Sequence, residues 1–298
     1  MRLVVTGREG QVARSLVERG PADVEVVTLG RPELDLAGPS QAIVAAIEMA
    51  CPDVIVSAAA YTQVDKAESE RDLAFAVNER GAAAVAGAAK RLGIPLIHLS
   101  TDYVFDGSKR SPYLEEDTTA PTGVYGASKL AGERAVLAEH ANCAVLRTAW
   151  VYSPFGSNFV KTMLRLASER DEIPVVGEQR GNPTNALDVA DGVLQVARNL
   201  LNQADPAGRG VFHMTGTGEA SWAEFATAVF AASAEVGGPG ALEKPIRTVD
   251  YPTAAKRPAN SRLDCGRLAR VHGVSLPEWR SSMKTVVDRL VNGPGEER

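Results

Sequence analysis

Tyr125 and Lys129 stand four residues apart in the run Tyr125-Gly126-Ala127-Ser128-Lys129. On a helix that spacing brings both side chains to one face. An ammonium beside a phenol favours the phenolate, so Lys129 is expected to lower the Tyr125 pKa. Tyr125 could then pass a proton to a carbonyl oxygen near neutral pH. The same lysine could hold the ribose next to a nicotinamide. Ser100-Thr101-Asp102 follows a short apolar run and puts a hydroxyl at its end. If that run is a strand of an open α/β sheet, its carboxyl edge faces the ligand crevice. Thr101 could there bond a substrate carbonyl and orient Tyr125. The plainer alternative is a turn residue bonding its own backbone.

A second candidate lies at the start of the chain. Thr6-Gly7-Arg8-Glu9-Gly10-Gln11-Val12-Ala13 follows the apolar Leu3-Val4-Val5. Glycines permit a tight turn and let backbone N–H groups approach a pyrophosphate, and a helix from near Gly10 would aim its N-terminus at that charge. Ala13 is small enough for close packing of helix on sheet. The next strand ends at Leu29-Gly30-Arg31, with no acid to hold the ribose of NAD. Arg31 could instead pair with the 2′-phosphate of NADP. The alternative is a solvated arginine in the turn before Pro32.

The elements that must position these groups are legible as rhythm. Apolar runs recur at Leu3–Val5, Val24–Leu29, Val54–Val56, Ile94–Leu99 and Ala144–Leu146. Between them lie helix-like stretches at Gln11–Arg19, Pro39–Met49, Ser69–Arg91 and Tyr125–Glu139. Strands apolar on both faces, alternating with helices, predict an α/β fold with a doubly wound parallel sheet of Rossmann type. After about residue 150 the rhythm changes, with Gly and Pro at 153–156, 181–183 and 237–240. The segment after Gly240 reads as neither helix nor strand. The expected division is a cofactor domain over 1–150, with part of 180–212 returning to it. A smaller lobe over most of 151–298 would bind substrate. The tail Asn292–Arg298 is expected to fray.

Composition narrows the class. The chain has 298 residues, 45% hydrophobic and 23% charged, with a net charge of −5. A mildly acidic chain has no global field that draws it to nucleic acid or an anionic membrane. The longest uncharged stretch, Thr148–Val160, holds Pro154 and Gly156 and is too short to span a bilayer. The first residues lack the pattern of a signal peptide, so a cytoplasmic location is expected. Three cysteines without a CxxC pair argue against a disulfide framework. His98, His140, His213 and His272 are scattered, and no catalytic metal is expected.

Several strings in order carry a resemblance. They are Thr6-Gly-x-x-Gly10, Ser57-Ala58-Ala59-Ala60, Ser100 to Gly107 and Tyr125-x-x-x-Lys129. Together they resemble the extended short-chain dehydrogenase/reductase family. Tyr61 to Glu68, Leu146 to Tyr152, Asn158 to Met163 and Arg257-Pro-Ala-Asn-Ser261 narrow it. With these the chain is similar, from Arg2 to about Trp279, to the dTDP-4-dehydrorhamnose reductase family.

The resemblance implies reduction of the 4-keto group of dTDP-4-dehydro-L-rhamnose by NADPH, with NADH possible. Tyr125 would donate the proton, Lys129 would tune it and bind ribose, and Thr101 would position the carbonyl. Gly7, Gly10, Gln11 and Val12 would line the pyrophosphate, Asp35 and Leu36 the adenine, and Ala58, Ala59, Ala60 and Thr62 the rest of the cofactor. Asp102, Trp150, Asn158 and Arg257 are expected at the dTDP-linked keto-deoxysugar. Beside the resemblance, a doubly anionic diphosphate calls for cations, and Lys161, Arg257 and Arg262 are candidates, with a surface or structural salt bridge the alternative for each. The family acid at the second strand tip is Gly30 or Arg31 here, which puts NADH use in question. Asp65, Lys66 and Glu68 read as a structural run, an acidic first turn meeting its own helix dipole. A monomer or homodimer is expected. A ketoreductase of another dTDP-deoxysugar and a non-catalytic regulatory subunit stay open, although the intact Thr101, Tyr125 and Lys129 weigh against the latter.

Overall fold

Short runs of Val, Ile and Leu with no polar alternation need cover on both faces, and helices supply it here. The computed structural model describes residues 1–202 and 205–293. Residues 294–298, most of the tail expected to fray, lie outside the described residues. In the first half, β1 (Arg2–Thr6) leads into α1 (Gln11–Arg19), β2 (Glu25–Leu29) into α2 (Ser40–Met49), and β3 (Val54–Ser57) into a helical stretch. That stretch comprises α3 (Val64–Ala67), α4 (Arg71–Phe75), a wide π-type turn over Ala76–Gly81 and α5 (Ala82–Leu92). β4 (Leu96–Thr101), α6 (Val124–Glu139) and β5 (Cys143–Thr148) follow. The second half runs β6 (Val151–Tyr152), α7 (Phe159–Ala167), β7 (Glu172–Val176), β8 (Arg180–Gly181), β9 (Thr184–Asn185) and α8 (Ala186–Asn202). It continues through β10 (Gly210–His213), β11 (Ala220–Ser221), α9 (Trp222–Glu235), β12 (Leu242–Ile246), α10 (Gly266–His272) and α11 (Trp279–Asn292).

Six strands form one parallel sheet in the order β2-β1-β3-β4-β5-β10. The fold is therefore a doubly wound α/β sheet with a smaller C-terminal lobe. Successive side chains alternate between its faces. Leu3, Val5, Val54, Val56, Ile97, Leu99, Ala144 and Leu146 pack on α1 and α8. Ile55, Leu96, Cys143 and Val145 pack on α2 and α5. The chain leaves β1 toward β2 and returns on the other side at β3, so a crevice opens beyond the carboxyl ends of β1 and β3. A separate core built on Tyr152, Phe225, Val229 and Trp279 holds the C-terminal lobe. Among the described residues no helix is long and apolar enough to cross a membrane.

Two segments differ from the sequence expectation. Ser69–Arg91 is not one helix, because the wide turn over Ala76–Gly81 interrupts it. The turn carries Asn78, whose side chain bonds the Tyr61 backbone at both N–H and C=O and donates to the Ser128 hydroxyl. Those partners outweigh the regular helical ladder. Beyond Gly240, Leu242–Ile246 is a strand paired in parallel with β7. Its residues are largely exposed or half-buried, so the local pattern carries no strand signal. The pairing comes from a partner far away in sequence.

Candidate active site

Tyr125 is the second residue of α6. That helix starts at Gly123, and no side chain of its own caps it. Glu68 does so instead, its carboxylate accepting from the Val124 N–H at 2.8 Å. Glu68 therefore caps α6 rather than its own helix, and the dipole reading of the charged run is corrected to that extent. The helix lies so close to the turn after β4 that a Cβ on Gly126 would stand 2.2 Å from the Tyr103 carbonyl oxygen. Only glycine permits this approach, which brings Tyr125 to the end of β4. The Tyr125 ring packs edge-on against Tyr103, with centroids 5.5 Å apart.

Thr101, Asp102, Tyr125 and Lys129 converge there. Burial pushes the Tyr125 phenol up to about 12, Asp102 adds to the rise, and the Thr101 hydroxyl opposes it. Lys129 is not among the groups that shift it. The buried ammonium donates to the Leu99 carbonyl at 2.7 Å instead. The expected lowering of the Tyr125 pKa by Lys129 is thus replaced by a phenol held protonated by its surroundings. Burial lowers Lys129 to about 8, and the Glu133 carboxylate resists the fall. Asp102 is buried and accepts from the Thr101 hydroxyl at 2.9 Å. Desolvation raises its carboxyl to about 6, against the pull of Ser261 and Thr101. The Thr101 hydroxyl also accepts from the Tyr103 N–H at 3.2 Å, the local contact of a turn residue.

The crevice at the switch point is stitched by Thr6, whose hydroxyl accepts from the N–H groups of Ala58 and Ala59 at 3.1 and 3.0 Å. Gly7 turns with φ of 96°, and a Cβ there would meet Ala59 at 3.4 Å. Gly10 precedes α1 with no side-chain cap, and nothing lies within 4 Å of where its Cβ would be. The first turn of α1, including Gln11 and Val12, carries no acid. An open, uncapped helix start of this kind fits a pyrophosphate.

At the β2 end Arg31 is exposed, as are Asp35 and Thr62, while Leu36 is buried. Ala58, Ala59 and Ala60 are half-buried along the crevice. Sequence reasoning passed over Arg8. Its side chain leans across Gly30, 3.2 Å from where a Cβ would be, and pairs with Glu33 at 2.8 Å. The available signal was its place inside the phosphate turn.

The expected substrate residues divide. Trp150 stands at φ of 47° and stacks on Trp222, centroids 3.6 Å apart, with Phe159 tilted against Trp222. Trp222 carried no sequence signal beyond being aromatic. Arg257 is tied to Asp65 at 2.6 Å and acts electrostatically on Tyr103 beside Tyr125. Asn158 is spent on structure. Its amide donates to the Gln11 side chain and to the Ser153 and Phe155 carbonyls, and its oxygen caps α7 at Lys161 N–H. It thus joins the phosphate turn to the second lobe rather than offering a free group to a sugar. Arg262 pairs with Glu219 at 2.7 Å, and Lys161 donates to the Pro154 carbonyl. Among the described residues no group of His, Cys, Asp and Glu side chains is arranged to hold a metal ion.

A doubly wound sheet with a phosphate-type turn after β1, and a tyrosine and lysine one turn apart beside the end of β4, defines a nicotinamide-dependent oxidoreductase of the short-chain class. A family model described as the RmlD substrate binding domain matches residues 1–292. The chain is 53% identical to a dTDP-4-dehydrorhamnose reductase of Sinorhizobium fredii, over 98% of both chains. A crystal structure of a dTDP-4-dehydrorhamnose reductase from Clostridium acetobutylicum superposes with a TM-score of 0.90 at 35% identity, covering 97% of this chain and 99% of that one. The Bacillus anthracis enzyme of the same name, solved in complex with NADP, gives 0.88 at 34% identity over 96% and 98%. The chain belongs to the dTDP-4-dehydrorhamnose reductase family.

Proposed function

We propose that this protein reduces the 4-keto group of dTDP-4-dehydro-L-rhamnose to give dTDP-L-rhamnose, with NADPH as the preferred reductant. The observation that carries the reading is the convergence of Thr101, Tyr125 and Lys129 at the carboxyl edge of β4. The match to the family model over residues 1–292 supports reading that convergence as carbonyl-reducing machinery.

A bound nicotinamide supplies the hydride to the carbonyl carbon. The protein's own groups handle the oxygen. Tyr125, with its pKa held near 12, carries its proton at neutral pH and can give it to the more basic alkoxide that forms. The Thr101 hydroxyl donates to the same oxygen and holds it against Tyr125. To do so it turns away from Asp102, to which it donates at 2.9 Å in this structure. Lys129, whose ammonium is turned to the Leu99 carbonyl here, would hold the ribose hydroxyls. The uncapped start of α1 receives the pyrophosphate, and Arg31 with Arg8 receives the 2′-phosphate.

Residues 1–150, with β10 completing their sheet, serve the cofactor. The lobe built from most of 151–298 serves the nucleotide-sugar, with Trp150 and Arg257 at its edge. A coupled assay with dTDP-4-dehydro-L-rhamnose tests the reading. Turnover faster with NADPH than with NADH, and an L-rhamno product by NMR, are expected. Tight NADPH binding without turnover would favour a regulatory subunit. A product of another configuration would assign a different deoxysugar.

A further inference from the structure

Behind the relay lies a buried charge network that the mechanism above does not use. Glu133 is on α6, one turn beyond Lys129, and its side chain is 2% exposed. It accepts two hydrogen bonds from Arg147 on β5, at 2.9 and 2.7 Å, and one from Ser100 on β4, at 2.5 Å. Arg147 is itself 4% exposed. Ser100 is the neighbour of Thr101, and Leu99, which takes the Lys129 ammonium, precedes it. Three strand and helix positions around the relay are therefore fixed through one carboxylate.

A buried ion pair is weak grounds for stability, because desolvating two charges offsets most of their attraction. Plain fold stabilisation would leave the choice of position unexplained. The site next to Lys129 gives the charge a second use. Lys129 is an ammonium out of water, and Glu133 is the charged group that opposes its loss of the proton. The other ionisable groups facing this part of α6 do not replace it. His98 on β4 is kept neutral by burial and by Lys129 itself. Arg147 on β5 is positive. Tyr125, and Tyr103 of the turn after β4, are held protonated. Asp102 of that turn engages Thr101. The wide helical turn meets Ser128 through the uncharged Asn78, and its Glu79 and Arg80 are not among the groups that shift Lys129.

We propose that Glu133 is a positioning residue for the proton relay: held in place by Arg147 and Ser100, one turn beyond Lys129, it keeps Lys129 charged. This rests on Lys129 as ribose ligand and partner of Tyr125. Glu133→Gln keeps the shape and removes the charge, but leaves Arg147 buried and unpaired. The double variant Glu133→Gln/Arg147→Met removes both charges and guards against a failure to fold, checked by thermal unfolding.

NADPH affinity without sugar, and kcat/KM, are measured from about pH 6 to 10, the span in which a buried lysine loses its proton. In the folded double variant the alkaline fall-off of both is expected about one pH unit lower than in wild type, with values at the acid end within about threefold. A loss equal at every pH, or a fall-off that does not move, overturns the proposal. Because NADPH binding needs no keto sugar, a wild type without turnover whose affinity still shifts with Glu133 would sink the catalytic reading and leave this one standing.

Discussion

The two ends of the cofactor crevice are built in opposite ways. Beyond β4, Asp102 and Lys129 are 2% and 3% exposed, and each is held by a named partner. Beyond β2, Arg31 and Asp35 stand in solvent, and Arg8 shares its charge with an exposed Glu33. The difference follows from the work proposed for each end. Proton transfer depends on how the surroundings weight charged against neutral forms, and only a dry, fixed site weights them strongly. A phosphate dianion carries its own charge and is recognised by arginines that remain hydrated. The first end should therefore be intolerant of isosteric change, and the second graded.

The largest effect expected is from Tyr125→Phe. It removes the proton and keeps the ring that packs on Tyr103. Turnover should fall roughly 10²–10⁴-fold, as for loss of a general acid. NADPH affinity, measured by fluorescence titration, should stay near that of wild type. A variant that retains full turnover would remove the contrast between the two ends, since the buried end would then hold no proton donor. Arg31→Ala probes the other end. It should weaken NADPH about tenfold, the scale of one charge-assisted contact, and leave NADH binding unchanged. Equal losses with both coenzymes would mean that the β2 end reads something other than the 2′-phosphate.

The same contrast explains what was legible in the sequence. The apolar strand runs between helices, the glycine turn after β1 and the four-residue Tyr125–Lys129 spacing on one helix are local patterns, and these elements read directly. Glu68 as the cap of α6 could not be read. It stands 56 residues from its donor, the Val124 N–H, and looks like an ordinary acid in a charged run. The structural use of Asn158 was hidden for a related reason: its motif was visible, but its four bonds, one of them to Gln11 far back in the chain, were not. The Tyr125 pKa was expected on the wrong side of its ordinary value, because spacing shows that Lys129 is near but not that its ammonium turns to Leu99. Burial and side-chain direction, not residue type, decided each of these.

Asp102 gives a test of the dry end that needs no substrate. Its carboxyl titrates near 6 in the folded protein against an ordinary 3.8. The folded state therefore holds that proton more tightly than the unfolded chain does. Ionisation costs stability as pH rises from 3.8 through 6, and the full cost is present above that. Asp102→Asn keeps an acceptor for Thr101 and has no charge to desolvate. It should raise Tm at about pH 8 by roughly 2–4 °C and leave Tm at about pH 3 unchanged, where the carboxyl is mostly neutral in both states. An equal gain at both pH values would show that shape rather than charge is relieved, and would make the β4 end no drier than the β2 end.

The smallest effect belongs to the Asp65–Arg257 pair, which sits between the two extremes with side chains 45% and 21% exposed. A half-exposed pair contributes about 0–1 kcal/mol, so Asp65→Asn should move Tm by no more than about 2 °C. Its effect on the sugar should be more telling. In this structure Arg257 is held by Asp65, which also anchors its segment through the Ala255 N–H. If Arg257 meets the diphosphate, the substrate must compete with Asp65 for the guanidinium. Removing that competitor should lower KM for the nucleotide-sugar about twofold, while Arg257→Ala should raise it about tenfold, with kcat little changed in both. A KM that rises in both variants would make Asp65 the anchor that places Arg257 rather than its rival. A KM unmoved by Arg257→Ala would return the pair to a purely structural tie between the turn after β3 and the segment that carries Ser261 to Asp102.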